Sequence, residues 1–353
     1  MDKVSPLFVI IDGSSLICSS YFGSLPDELK YASAKSLSSE EFDNKCNELL
    51  PKSSDGLFVN GIDIFMCTLC DIITTLEPDK IAVCFDEGRS ETFRRAMYPE
   101  YKAQRGSTQS ALRQQIATIH SLVKDMGVEC LSSKEYEADD YAGSLARKAE
   151  AEGYTVRLLT KDRDYFQLIT DNTKVWWMVS GAQYDRLSLT CNTDVLQVPT
   201  GCVEFGVTDV VREIGIEPAQ VAAWKGLSGD PSDNIPGVKG ISDKTAIPLL
   251  KHYKTMEAIF ESLGEPEEEL KSKWKSLGIA RPPIQLLKDH VVDAAFFTEL
   301  ATIKCDLPVP DISVSYSHKP SLDKFEDISI EYNLSFLKEM VDNEREDREL
   351  YGL

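Results

Sequence analysis

Apolar runs that stop on an aspartate constrain this chain more than anything else in it. Residues 7–12 (LFVIID) and 80–86 (KIAVCFD) read as short buried strands ending on Asp12 and Asp86, because continuous apolar runs of this length suit strands covered on both faces. The stretch 137–164 supplies a third unit. It is a helix opening on Glu137, Asp139 and Asp140 and alanine-rich to Glu150, a break at Gly153, an apolar strand at 155–160, then Asp162 and Asp164. A single strand-terminal aspartate is most often a turn or cap residue, and acids at a helix N-terminus suit the helix dipole. Repetition is harder to explain that way. Right-handed crossovers put the C-terminal ends of parallel strands on one edge of the sheet. If the strand at 128–131 lies parallel to that at 155–160, all these carboxylates reach one crevice. Without cations they repel one another and their pKa values rise, so the pattern makes physical sense chiefly as a cage for hard divalent metals.

With 353 residues and 42% hydrophobic content the chain has room for one large or two modest domains with real cores. A soluble, globular protein is expected. No apolar run approaches the ~20 residues of a membrane span, and the run at 7–11 is too short for a signal-peptide core. Nine cysteines without framework spacing fit an intracellular, reducing compartment. Cys67 and Cys70 form a CxxC inside an apolar helical pattern with no second pair downstream, which reads as buried thiols rather than a metal or redox site. The net charge of −20 argues against nonspecific coating of nucleic acid. It does not exclude nucleic acid, since metal-holding acids are neutralised in use and local basic patches survive in an acidic whole.

The Ser-rich, charged stretch 24–55 reads as a mobile surface insertion with one helix around 40–50, and helical spacing resumes over 57–76. From Asp86 departs a basic segment, 89–105, with Arg89, Arg94, Arg95, Lys102 and Arg105 and the interleaved tyrosines Tyr98 and Tyr101. Charge runs are usually solvated faces. This one overhangs the carboxylate crevice, where cations suit a phosphate substrate and tyrosine faces suit stacked bases. The stretch 226–246, GLSGDPSDNIPGVKGISDKTA, adds Asp230 and Asp233 and then a tight turn, Gly237, Val238, Lys239 and Gly240, between two helices. Such a turn exposes backbone amides and, with Lys244, Lys251 and Lys254 nearby, can hold a phosphate backbone without reading sequence.

These residues carry a resemblance. IIDGSS at Ile10, FDEG at Phe85, FRRAMYPEYKAQR at Phe93, EYEADD at Glu135, LLTKDRDYFQL at Leu158, the stretch from Gly226 and LATIKCDLPV at Leu300 resemble, in order, the 5′-nuclease family. That family comprises flap endonucleases and 5′→3′ exonucleases, including the N-terminal nuclease domain of bacterial DNA polymerase I. The resemblance implies an α/β, PIN-like fold, a mostly parallel central sheet with helices on both faces, plus an α-helical helix-hairpin-helix DNA-binding subdomain. The expected partition is a nuclease core over 1–203 with an arch at about 87–110, the helical subdomain over 204–310 and an extension over 311–353. Asp12, Asp86, Glu137, Asp139 and Asp140 would serve a first metal site, and Asp162, Asp164, Asp230 and Asp233 a second. Lys102 and Arg105 would sit on an arch helix against the scissile phosphate. Arg94, Arg95, Tyr101, Gly237, Val238, Lys239, Gly240 and Lys244 would contact DNA, and Ser228, Val238 and Ile241 would offer oxygens to K⁺. The activity implied is hydrolysis of DNA at 5′ flaps, nicks and free 5′ ends with two Mg²⁺ ions, for which Mn²⁺ can substitute.

The chain departs from that pattern in several places. Ser19 stands where many relatives carry an arginine, so one phosphate contact is expected to be missing. The stretches 24–55 and 185–203, the latter following a Trp176–Trp177 strand, read as surface elaborations or partner-docking elements. The tail beyond 310 suggests one packed helix, with Leu334, Phe336 and Leu337 as its apolar face, before a frayed acidic end. With no polymerase sequence following, a free-standing nuclease or a processed piece of a longer chain is expected. Two other readings stay open: a catalytically idle DNA-junction binder, and a same-fold nuclease that prefers RNA in RNA–DNA hybrids.

Overall fold

The computed structural model describes residues 5–33, 37–88 and 90–351; Arg89 lies outside the described residues. Six strands, β1 (Leu7–Asp12), β2 (Lys80–Asp86), β3 (Glu129–Ser133), β4 (Thr155–Thr160), β5 (Thr173–Met178) and β6 (Cys202–Phe205), form one sheet in the order β3-β2-β1-β4-β5-β6. Pairing is parallel from β3 to β5, and only β6 runs antiparallel, against β5. The expected parallel α/β sheet is therefore present. Strand order reverses between β1 and β4, so the carboxyl ends of these two strands flank the crevice in which such sheets hold ligands.

Alternation along the strands builds a core on each face. Phe8, Ile10, Ala82, Cys84 and Leu158 belong to one, with helix Ala138–Ala151 and the buried side chains of the helical C-terminal half, among them Leu227, Leu249 and Trp274. Val9, Ile11, Ile81 and Val83 belong to the other, with helices Gly13–Gly23, Asn60–Thr75 and Ser110–Asp125. Two glycines show how tightly the helical half is joined. A Cβ on Gly226 would lie 2.0 Å from Thr298 Oγ1 and 2.7 Å from its backbone nitrogen, so helices Val221–Ser228 and Val291–Ala301 cross at backbone contact. Gly237 adopts φ +61° with its Cα hydrogens against the Gly229 backbone, where a Cβ would come within 2.2 Å of the nitrogen.

Three expectations are corrected. The stretch 24–55 is not a mobile surface insertion with one helix. It forms two helices, Asp27–Ser33 and Ser39–Leu49, and Leu25, Leu29, Phe42, Cys46 and Leu50 enter the core; residues 34–36 lie outside the described residues. Few apolar residues in a polar stretch suffice when each one is buried, and a Ser38–Glu41 capping box starts the second helix. The tail forms two helices, Leu322–Glu331 and Ser335–Tyr351. Leu334 and Leu337 are buried but Phe336 is 58% exposed, and Asp63, on helix Asn60–Thr75, accepts the N–H groups of Phe336 and Leu337 at 3.1 and 2.9 Å. A distant acid thus caps the last helix. Finally, Lys102 and Arg105 are not on a helix. The segment has one short helix, Phe93–Met97, then turns in which Lys102 takes φ +53° and donates its N–H to the Asp233 carbonyl at 2.9 Å.

Candidate active site

The strand-end acids first do what such residues usually do. Asp12 Oδ1 accepts the Ser15 N–H (2.9 Å) and starts helix Gly13–Gly23. Asp86 Oδ1 accepts the Ala138 N–H (2.9 Å) at the start of helix Ala138–Ala151. Two serines after Asp12 bind the strand ends together: Ser14 Oγ accepts the Asp86 N–H and Ser15 Oγ the Lys161 N–H, both at 2.9 Å. These bonds draw the ends of β1, β2 and β4 into one rim. Capping and convergence are therefore the same arrangement.

Below that rim lies a cleft of about 570 Å³ that includes Asp12, Asp86, Glu137, Asp139 and Asp162 in its wall. A second cleft, about 740 Å³, shares Ser15, Arg105, Lys161 and Asp162 with it and continues to Asp164 and Asp230. Asp164, Asp230 and Asp233 offer carboxylate oxygens that all lie within 4.8 Å of one another. Burial, then the charge of Asp86, pushes the Asp12 carboxyl up to about 7, although Ser15 and Thr160 hydrogen-bond to it. Asp139 is pushed well above the carboxylate range by burial and by Asp140 and Glu137, against the pull of Arg94. Its Oδ1 is the one carboxylate oxygen, among buried side-chain atoms of the described residues, with no hydrogen-bond partner; Arg94 stands 3.7 Å away. Asp162, at the mouth, is raised by the protein crowded round its carboxyl, although the residue reaches solvent, and by neighbouring Asp164.

Other acids are already satisfied by cations. Burial alone would raise Glu137, but Lys102 (2.9 Å) and Arg94 (2.9 Å) pull it below the usual range. Lys102 works against its own burial and is held protonated by Glu137 and by Asp233 at 3.6 Å. Arg105 pairs with Asp233 Oδ1 at 2.7 Å. Lys102 and Arg105, with Lys161 and Arg113, line the first cleft together with its acids.

Several assignments made on sequence are overturned by burial. Asp140 has no free oxygen for a metal: it is 0% exposed and accepts from Arg94 (2.7 and 2.8 Å), Lys304 N–H (2.8 Å) and Glu137 N–H (3.1 Å). Arg94 is not a DNA contact. It is 1% exposed and also donates to the carbonyls of Leu300 and Thr302. Tyr101, 3% exposed, offers no face to a base; its hydroxyl bonds Glu137 and Asp233, both at 2.9 Å. Tyr98 packs edge-on against Phe296 and Phe297, and Arg95 is half-buried with a bond to the Tyr101 carbonyl. In the glycine turn, Val238 and Ile241 are buried, with Ile241 N–H donating to the Val238 carbonyl, while Lys239, Gly240 and Lys244 are exposed. Ser228 ends helix Val221–Ser228, its Oγ on the Trp224 carbonyl. Ser19 lines the first cleft with its Oγ unpartnered among the described residues.

Sequence reasoning passed over Thr160, Arg113 and Lys161. Lys161 was legible, lying between Thr160 and Asp162 in the acidic motif. Arg113 comes from helix Ser110–Asp125, outside every motif, and reaches the cleft only through packing.

Carboxylate oxygens with lysine and arginine among them, at the switch point of a parallel sheet, make a site suited to hard cations and a phosphate-bearing ligand. The family model for the N-terminal, resolvase-like domain of 5′-3′ exonuclease matches residues 7–194, and that for the C-terminal SAM fold of 5′-3′ exonuclease matches residues 216–321; the chain belongs to the 5′-3′ exonuclease family. It is 34% identical over 289 residues to DNA polymerase I of Bacillus subtilis, covering 81% of this chain and 29% of that protein, and 32% identical to DNA polymerase I of Chloroflexus aurantiacus, covering 86% and 27%. The chain thus spans less than a third of the length of these relatives. In fold it is similar to T5 5′-exonuclease with bound zinc (TM-score 0.52, 18% identity, 96% of this chain and 98% of that one) and to flap endonuclease-1 from Methanococcus jannaschii (TM-score 0.51, 13% identity, 96% and 91%). No helix among the described residues is long and apolar enough to cross a membrane.

Proposed function

We propose that the protein is a structure-specific 5′ nuclease that hydrolyses phosphodiester bonds of DNA at 5′ flaps, nicks and free 5′ ends with Mg²⁺, or Mn²⁺ in its place. One observation carries this reading: acids from the ends of β1, β2 and β4 and from the start of helix Ala138–Ala151 share one cleft, and Asp139 Oδ1 is buried there with no hydrogen bond among the described residues, Arg94 standing 3.7 Å away. A buried carboxylate oxygen that accepts no hydrogen bond is costly unless a closer cation or a proton meets it, and an all-oxygen donor set fits Mg²⁺. Asp12, Asp86 and Asp139 would hold one ion, and Asp164, Asp230 and Asp233 a second, with Asp162 between them. Bound there, such ions supply an activated water and neutralise charge on the phosphate and the leaving 3′ oxygen. The chain itself does the rest. Lys102 and Arg105 line the same cleft as Asp139, oriented by Glu137 and Asp233, and would present fixed positive charge to a phosphate lying over the acids. The exposed Lys239 and Lys244, beside the glycine turn, would hold the duplex by its backbone, and the carbonyls of Ser228, Val238 and Ile241 would be the place for K⁺.

Cleavage of labelled flap, nicked, hybrid and single-stranded substrates, with Mg²⁺ or EDTA, tests the proposal. Metal-dependent cutting of the flap is expected. Binding without cutting would leave an idle junction binder, and preference for the hybrid would move the substrate to RNA.

Lys102→Met should lower kcat about 100-fold with a much smaller change in KM, since a donor aimed at developing charge acts mainly in the transition state. A change confined to KM would assign Lys102 to binding alone.

The raised acids also give the metal-stripped protein a pH signature. With its carboxyl at about 7, well above the ordinary 3.8, folded Asp12 keeps a proton that the unfolded chain releases. The folded state therefore loses relative stability as pH rises from about 4 to about 7. A cation that replaces the proton removes the loss. In EDTA, Tm should fall by roughly 2–3 °C between pH 5.5 and 7.5, and added Mg²⁺ should raise Tm more at pH 7.5. An equal Mg²⁺ effect at both pH values would contradict the assignment.

A further inference from the structure

Lys225 has no role in the site as described so far. It sits near the end of helix Val221–Ser228 with a side chain only 8% exposed, and its ammonium bonds Asp164 Oδ1 and lies 2.5 Å from Asp230 Oδ2. These two acids and Asp233 form the cluster whose oxygens lie within 4.8 Å of one another. The lysine charge therefore stands where their oxygens converge. Burial works against that charge, but the two aspartates more than offset it, and Lys225 in turn helps bring Asp230 below the usual carboxylate range.

We propose that Lys225 is a resident counter-ion of the second metal position, which a divalent ion must displace from Asp164 and Asp230 in order to bind, so that this lysine sets the affinity of that position. The proposal rests on the reading of these acids as metal ligands. Repulsion explains why a cation is held there at all: carboxylates this close cannot all stay ionised without one. An ammonium and a divalent ion cannot occupy the same oxygens together. The helix carrying Lys225 cannot retreat, because Gly226, the next residue, is in backbone contact with Thr298. Displacement is therefore a rotation of the side chain. Its flexible four-carbon stem suits this, and the 740 Å³ cleft that Lys225 lines gives it room. There the ammonium faces the space that a substrate phosphate would fill, so the second ion and the substrate would favour one another's binding.

Titration of the full chain with Mn²⁺ alone, with free ion followed by electron paramagnetic resonance, tests this without reference to turnover. In wild type two classes of ion are expected, and in Lys225→Met the weaker class should tighten at least about tenfold, since no ammonium then competes for the same oxygens. In EDTA, Lys225→Met should melt below wild type, since Asp164 and Asp230 then face each other unneutralised, and Mn²⁺ should raise its Tm by more. Lys225→Gln, which keeps a hydrogen-bond donor for Asp164, should shift the affinity in the same direction and serves if the Met variant does not fold. Equal affinity of the weaker class in wild type and both variants would overturn the role of Lys225. If Asp164→Asn with Asp230→Asn left every class unchanged, the metal assignment itself would fall, and the proposal with it.

Discussion

Asp139→Asn should cut cleavage of a 5′ flap by at least about a thousandfold, because an ion held by several carboxylates contributes several kcal/mol to the barrier and each tenfold in rate is about 1.4 kcal/mol. The substitution is isosteric and removes only charge. Asp139 Oδ1 is buried with no hydrogen bond among the described residues, Arg94 standing 3.7 Å away, and its carboxyl titrates well above the ordinary range. An asparagine there resembles the protonated acid that the folded state already prefers. The variant should therefore be at least as stable as wild type in EDTA while gaining less from Mg²⁺, and it should bind a flap in EDTA as wild type does. Loss of activity with loss of fold would place Asp139 in the framework instead. Retained turnover would remove the carboxylate cleft as the catalytic centre.

What could be read in the sequence, and what could not, divides along the range of the interactions. Asp12 and Asp86 were legible because a strand that stops on an acid tells where its side chain goes once the strands are parallel, and apolar runs give the strands. Asp162 follows by the same route, one residue beyond Lys161 at the end of β4. Asp140 shows the limit. It stands beside Asp139 in the same helical turn and has the same local signature, yet it spends both oxygens on Arg94, 46 residues away. Nothing local distinguishes the two acids; only the approach of Arg94, from helix Phe93–Met97, and of the Lys304 N–H does. Tyr101 is misread for the same reason, since tyrosines between arginines look like a stacking surface until the hydroxyl is found between Glu137 and Asp233. The stretch 24–55 failed differently. Its periodicity is weak, but Leu29, Phe42 and Cys46 meet a core already built by other helices, so the tertiary context supplies what the local pattern lacks.

Arg94→Met should lower Tm by roughly 4–7 °C, since breaking a buried ion pair by removing one partner leaves the other charge unsatisfied at about 3–5 kcal/mol. Arg94 donates to Glu137 (2.9 Å), to both oxygens of Asp140, and to the carbonyls of Leu300 and Thr302 at 3.1 and 3.0 Å. One guanidinium thus ties the basic segment to the acid-bearing helix and to the chain leaving helix Val291–Ala301. Lysine cannot reproduce a planar fork of donors, so Arg94→Lys should recover only part of the loss. Adding Asp140→Asn to Arg94→Met should return much of it, because the orphaned charge is then gone. Each phosphate contact that a protein gives up makes the logarithm of its DNA affinity less steep in salt. Arg94 being interior, the salt dependence of flap binding by Arg94→Met, measured below its melting temperature, should match that of wild type, and Lys239→Ala should flatten it. A flattened slope for Arg94→Met with unchanged Tm would return Arg94 to the DNA-facing surface.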